Sequence, residues 1–339
     1  MAESENFRHV GTPGALNPDV QAYLERVRSL KLPSVTEVAP AMARAAYRAS
    51  SSSVTPAAPE VASVQNLKIP GPHGEIALRI YRPLGSPEQE RCPALIYFHG
   101  GGWTIGDLDS HDVICRELAN RTPCVVVSVD YRLAPENKFP IPLGDCRAAT
   151  DWLFKHASEY GIDRHRIAIG GDSAGANLAA VISLELRDLR RAAGGAAEQK
   201  PQLVFQLLIY PATDQRCDTA SHLKFGKGFA LTHEMILYFR GNYLRPDQWE
   251  DWQASPLLAK DHSDLPPALM ITAGHDPLVD EGLAYAKKLQ DSGSFVSSTC
   301  YEEMIHGFLR LGKVIPKADI AVQECVTALA KYLTQGDSK

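Results

Sequence analysis

Two glycine-rich turns, each entered from an apolar run, are the parts of this chain whose residue types suit chemistry. The first reads His99-Gly100-Gly101-Gly102-Trp103 and the second Gly171-Asp172-Ser173-Ala174-Gly175. The second fits G-x-S-x-G, a sharp strand-to-helix turn that lifts a serine hydroxyl to the top of an α/β sheet. The first fits an H-G-G-G loop, which offers backbone N–H donors to an oxyanion. Together they point to acyl transfer through a serine nucleophile. A Cβ at 171 or 175 would strike the neighbouring strand and helix in so tight a turn, which gives those two glycines a steric reason.

A serine hydroxyl becomes a useful nucleophile only when a base takes its proton, and the base is held by a carboxylate on its other nitrogen. For this kind of elbow the chain order is Ser, then Asp or Glu, then His. Beyond residue 275 there is one histidine, His306, in Met304-Ile305-His306-Gly307-Phe308. It is the expected base, with Gly307 letting the loop turn. Two carboxylates compete for the third place, in Asp276-Pro277-Leu278-Val279-Asp280. Asp276 is favoured because it follows an apolar run by three residues and Pro277 is read as the start of the next helix, leaving Asp276 outside it. Asp280 is the alternative. Asp172 precedes the serine and is disfavoured by chain order. The oxyanion donors are expected to be the backbone N–H groups of Gly101, Gly102 and Ala174, the last at a helix N-terminus where free N–H groups and the helix dipole favour negative charge.

The elements that must position these groups alternate along the chain. Strands are expected near 64–69, 76–81, 94–98, 124–129, 167–170, 203–209, 268–273 and 295–301. Helices are expected near 111–120, 143–156, 175–189, 279–291 and 317–333. Such alternation predicts a mostly parallel sheet with helices on both faces. Residues 18–27 have helical spacing, a Ser/Ala/Pro-rich stretch from Ala49 to Pro59 reads as a linker, and residues 1–60 read as a separate unit. Between about 211 and 255 the alternation stops. Thr232 caps a helical segment there, in a loop after a strand end, where α/β sheets build ligand sites. This region and the N-terminal one are read as a cap over the site.

The chain has 339 residues, 45% of them apolar and 22% charged, which is ordinary for a globular protein. A net charge of −5 without a basic stripe argues against nucleic acid as a partner. No apolar run approaches the length of a membrane span. The polar start Met1-Ala2-Glu3-Ser4-Glu5-Asn6 carries no secretory apolar segment. Seven scattered cysteines without C-x-x-C spacing are expected to be reduced and buried, as in a cytoplasmic protein.

These motifs, with Asp130-Tyr131-Arg132-Leu133-Ala134-Pro135-Glu136 and His306-Gly307-Phe308, resemble the hormone-sensitive-lipase-like esterases of the α/β-hydrolase fold, in the bacterial branch with a G-D-S-A-G elbow. The resemblance spans about residues 18 to 333. It implies an eight-stranded, mostly parallel sheet with a helical cap, and a division into a first cap segment (1–55), a core (56–210 and 256–339) and a second cap segment (211–255). It makes Ser173, Asp276 and His306 the triad, Asp276 being the first aspartate of D-P-L-x-D. His99 becomes a brace for its loop. Met235 and Phe239, one turn apart on one helix face, align with acyl-pocket positions, and Trp103 borders the same pocket; ordinary helix packing is the other reading of the Met–Phe pair. The implied activity is that of a serine carboxylesterase on short- to medium-chain acyl esters through an acyl-enzyme, needing no metal or organic cofactor. Amidases, lactonases and acyltransferases share this machinery and differ in leaving group or acceptor. Pairing through the last strand and helix implies a homodimer.

Overall fold

In chain order the strands are β1 (Ser63–Gly71), β2 (Gly74–Arg82), β3 (Cys92–Phe98), β4 (Val125–Asp130), β5 (Ile162–Asp172), β6 (Phe205–Ile209), β7 (Ala268–His275) and β8 (Val296–Ile305). They form one sheet in the order β1-β2-β4-β3-β5-β6-β7-β8. The pairs β1–β2 and β2–β4 are antiparallel and all others parallel. The computed structural model describes residues 14–85 and 91–334, so residues 1–13 of the expected first segment, with 86–90 and 335–339, lie outside the described residues.

The helices are α1 (Pro18–Ser29), α2 (Pro40–Val54), α3 (Asp112–Arg121), α4 (Ile141–His156), α5 (Ala174–Ala193), α6 (Ala220–Phe225), α7 (His233–Tyr243), α8 (Val279–Asp291) and α9 (Ala318–Thr334). They cover both faces of the sheet, so its central strands are buried on both sides and read as apolar runs. Along β3 the side chains alternate between two cores. Ile96 and Phe98 join a core with Leu143 of α4, Leu178 of α5 and Tyr285 of α8. Leu95 and Tyr97 join one with Leu118 of α3, Leu329 of α9, and Val20 and Leu24 of α1.

All eight expected strands form, most of them longer than expected; β5 already begins at Ile162 and β8 runs on to Ile305. Within residues 14–60, the described part of the unit expected to stand apart, side chains enter both cores of the sheet. Val20 of α1 is fully buried in one core and Ala43 of α2 is buried in the other. The linker expected at 49–59 is helical as far as Val54. Its serines turn their hydroxyls back on the helix, Ser50 and Ser51 donating to the Tyr47 carbonyl at 2.8 and 3.2 Å. Alanine favours the helix, and the hydroxyls find partners inside it rather than competing for a loop.

Residues 211–255 form α6, α7 and short turns between β6 and β7. Thr232 caps α7, accepting from the Met235 N–H at 3.2 Å. The N-terminal segment touches this region. Arg28 donates to the Gly228 carbonyl at 2.7 Å, and the Thr36 hydroxyl to Glu234 at 3.3 Å. No helix among the described residues is long and apolar enough to cross a membrane.

Candidate active site

The buried run Ile167–Asp172 of β5 ends in Ser173, whose φ of +54° and ψ of −117° lie where few side-chain-bearing residues go. The turn is held by the Ser173 N–H donating to the Ile209 carbonyl at 2.8 Å. A Cβ at Gly171 would sit 2.3 Å from the Phe98 carbonyl oxygen, and one at Gly175 would sit 1.9 Å from it. The glycines let the start of α5 press against the end of β3 and force the serine into its strained pose.

Three loops at the ends of parallel strands bring three side chains into a line. His306 Nε2 lies 2.9 Å from Ser173 Oγ, and His306 Nδ1 lies 2.6 Å from Asp276 Oδ2. With the ring proton on Nδ1 donated to Asp276, Nε2 is left to accept from the serine hydroxyl. Asp276 is fully buried, and its other oxygen accepts the Leu278 N–H at 2.9 Å. The imidazole packs against the Tyr210 ring, with centroids 4.7 Å apart. Gly307 follows with φ +79°, the left-handed turn its position calls for. Asp280 faces elsewhere and accepts the Ser221 N–H at 2.8 Å. Pro277 lies before the helix rather than in it, since α8 begins at Val279.

The glycine loop after β3 is fixed from below. Asp172 Oδ1 accepts the Gly100 N–H at 2.9 Å and the Tyr97 hydroxyl at 2.8 Å, with His111 Nε2 3.4 Å away. Burial opposes the charge of Asp172, but His111 and the Tyr97 hydroxyl hold its carboxyl below the ordinary carboxylate range. His99 is stacked on Tyr131 at 4.3 Å, with Nδ1 2.8 Å from the Gly100 carbonyl. Burial, then the nearby His111, pushes its pKa down to about 4, so it is a neutral brace. Above this base Gly101 and Gly102 adopt φ of +120° and +56°. Among the described residues no protein acceptor takes their N–H groups. Ala174 is the first residue of α5, where an N–H has no partner within the helix. Three amides are therefore available beside the serine for a developing oxyanion.

A cavity of about 230 Å³ opens over Ser173, and Trp103, Met235 and Phe239 line it, with Leu231 and Ile236 beside them. Trp103 is stacked on Tyr243 at 4.4 Å, and a Cβ at Gly102 would meet the Phe239 ring at 2.3 Å. The wall near the β6 end is polar. Buried Glu281 accepts the Thr213 and Asp214 N–H groups at 2.7 and 3.2 Å, and His222 Nε2 lies 3.1 Å from it.

Sequence reasoning overlooked the bracing by Asp172, the Glu281–His222 pair, and Tyr23, Tyr47 and Arg310 in the cavity wall. The position of Asp172 inside the elbow motif was a usable signal. The others reach the site only through tertiary packing.

A family model described as the α/β hydrolase fold matches residues 95–310. The chain is 44% identical to a Mycobacterium tuberculosis protein named carboxylic ester hydrolase LipN, over 80% of this chain and 71% of that one. It is 36% identical to an ethyl acetate hydrolase of Pseudomonas putida, over 94% of this chain and all of that one. Among solved structures, a Ser161Ala mutant of LAE6, an α/β hydrolase from the metagenome of Lake Arreo, superposes with a TM-score of 0.87 at 38% identity, over 93% of this chain and 98% of that one.

Proposed function

The chain belongs to the α/β hydrolase family, in its hormone-sensitive-lipase-like branch, and is a carboxylic ester hydrolase of the serine type; on that premise we propose that Ser173, His306 and Asp276 carry the reaction. Ser173 Oγ attacks the ester carbonyl while His306 Nε2 takes its proton. Asp276 orients the imidazole and stabilises it when charged. The oxyanion is received by the N–H groups of Gly101, Gly102 and Ala174, each worth roughly 3 kcal/mol to the transition state. His306 then protonates the leaving alcohol. Water, deprotonated by the same ring, releases the acid from Ser173.

The observation that carries this reading is the unbroken hydrogen-bond line from serine to histidine to carboxylate, 2.9 and 2.6 Å long, beside unclaimed amides.

Residues up to 55 and residues 211–255 act as two cap segments, a reading supported by their mutual contacts and by residues from both in the cavity wall. Met235, Phe239 and Trp103 bound the acyl site. A cavity of about 230 Å³ is small for a ligand pocket, which favours short- to medium-chain acyl groups. The Pseudomonas putida relative is named for ethyl acetate, a short ester, in keeping with this. Seven free cysteines support a cytoplasmic setting. Pairing of two copies through β8 and α9 is supported by the open edge of β8 and the exposure of Ile320.

The test is a series of p-nitrophenyl esters from acetate to palmitate, assayed with the native protein and Ser173→Ala. Turnover concentrated between acetate and octanoate and abolished by the substitution is expected. Full activity in Ser173→Ala would contradict the assignment, and a preference for palmitate would contradict the small acyl site.

A further inference from the structure

The cavity wall contains a cation that the hydrolytic reaction does not use. Arg310 stands four residues beyond His306, on the short turn Phe308–Leu311, and lines the cavity that holds Ser173. Its guanidinium donates to the Tyr47 hydroxyl, to Ser51 Oγ at 3.0 Å and to the Ser110 carbonyl at 2.7 Å. It also lies over the Tyr47 ring, 4.5 Å from the centroid. Every one of these partners is neutral. Among the described residues no carboxylate lies within 4 Å of it, and its Nε–H is buried without an acceptor. Other arginines of the molecule behave differently: Arg44 pairs with Glu136, Arg132 with Asp145 and Arg216 with Asp214. A desolvated cation without a counter-charge is unfavourable unless something else supplies the charge. Burial pushes the Arg310 pKa down to about 10, which leaves it charged at neutral pH.

We propose that Arg310, flanked by Tyr23 and Tyr47, receives an anionic group on the alcohol half of the ester, so that preferred substrates are acyl esters of carboxylate-bearing alcohols or phenols. This rests on the hydrolase reading above. The side follows from the chemistry. The leaving oxygen takes its proton from His306 Nε2, so the alcohol half lies on the His306 side, towards Arg310. The oxyanion faces Gly101 and Gly102, and the acyl chain is left the side of Met235 and Phe239. Asp214 and Glu281 also line the cavity, so an anion seated against them would meet like charge. In the reaction the Ser173 Oγ–acyl bond forms and the acyl–oxygen bond of the ester breaks. The serine proton passes through His306 to the leaving oxygen, and water later cleaves the acyl-enzyme. The carboxylate on the alcohol takes no part and only anchors it.

The test compares kcat/KM for 3-acetoxybenzoate and 3-acetoxybenzamide, which share an acyl group and differ in charge. The native protein is expected to favour the anion by about tenfold or more at low ionic strength, as a charge-assisted contact allows, and less so in high salt. Arg310→Met should bring the ratio to about one, and Arg310→Lys should keep part of it, since the charge remains. A merely structural arginine would depress both esters together and leave the ratio unmoved, which would overturn the proposal. Should Arg310→Met fail to fold, inhibition of the native protein decides. Stronger inhibition by 3-hydroxybenzoate than by 3-hydroxybenzamide supports the site, and equal inhibition overturns it. A native protein that cleaves the benzamide and spares the benzoate overturns the anion site and leaves the esterase reading standing, whereas cleavage of neither overturns both.

Discussion

The carboxylate of Asp172 accepts the N–H of Gly100 at 2.9 Å, and so ties the residue before the nucleophile to the loop that faces the oxyanion. The same oxygen accepts the Tyr97 hydroxyl at 2.8 Å. The two glycine-rich turns are thereby tied together through a side chain with no chemical step of its own. Asp172→Ala should cost about 2 kcal/mol or more of stability, because two buried donors lose their acceptor. It should also lower kcat more than it raises KM, since oxyanion contacts tighten only in the transition state. Urea denaturation and steady-state kinetics measure the two effects; a drop in stability with unchanged kcat would show that the oxyanion loop keeps its place without Asp172.

Gly102 and Phe239 can be tested as a pair. Gly102→Ala adds a Cβ at φ +56° that would meet the Phe239 ring at 2.3 Å. Activity should fall, and Phe239→Ala in the same chain should restore part of it by removing the collision while the backbone strain persists. A double-mutant cycle on kcat/KM reads the coupling. Additive effects would mean that the ring and the loop do not confront each other as described.

Asp276 and Asp280 are four residues apart and face different partners. Asp276 meets His306 Nδ1, while Asp280 meets the Ser221 N–H. Asp276→Asn should lower kcat by roughly 10⁴-fold, the loss expected when the imidazole is held in the wrong tautomer, with the fold intact. Asp280→Asn should change kcat only a few-fold. Reversed magnitudes would reassign the acid.

Much of this was legible from the chain because period and punctuation agree locally with the fold. Buried β3 and β5 are apolar runs that end in glycine-rich turns, and those turns announced both the sheet and the elbow. His306 was legible by elimination within a fixed chain order. The helix Pro40–Val54 was not, because serine and alanine together look like a linker until the hydroxyls are seen bonding to the preceding turn. Arg310 was not legible either. Its place in the cavity depends on Tyr47, 263 positions away, and no local spacing encodes such a contact.

The buried histidine of the first turn gives the protein an acid-sensitive stability. His99 has its pKa pushed down to about 4 by burial, then by His111, against an ordinary value of about 6.5 in the unfolded chain. Between these values the unfolded chain binds the extra proton, so the stabilising contribution is complete above about pH 6.5 and is lost as pH falls towards 4. One proton over that window amounts to up to about 3 kcal/mol. His99→Asn removes the titrating group, so the difference in unfolding free energy between the native protein and the variant should shrink on acidification. Urea titrations at pH 7 and pH 4.5 measure this, and parallel pH profiles for the two proteins would remove His99 from the account.

The central claim is that Ser173 is an activated nucleophile. A fluorophosphonate phosphonylates only a serine whose proton is being withdrawn, the Oγ–P bond forming as fluoride leaves, and intact-protein and peptide mass spectrometry locate the adduct. One adduct per chain is expected, on Ser173, absent in Ser173→Ala and strongly slowed in His306→Ala. An unlabelled Ser173 in folded native protein, or equally fast labelling once His306 is removed, would contradict the claim.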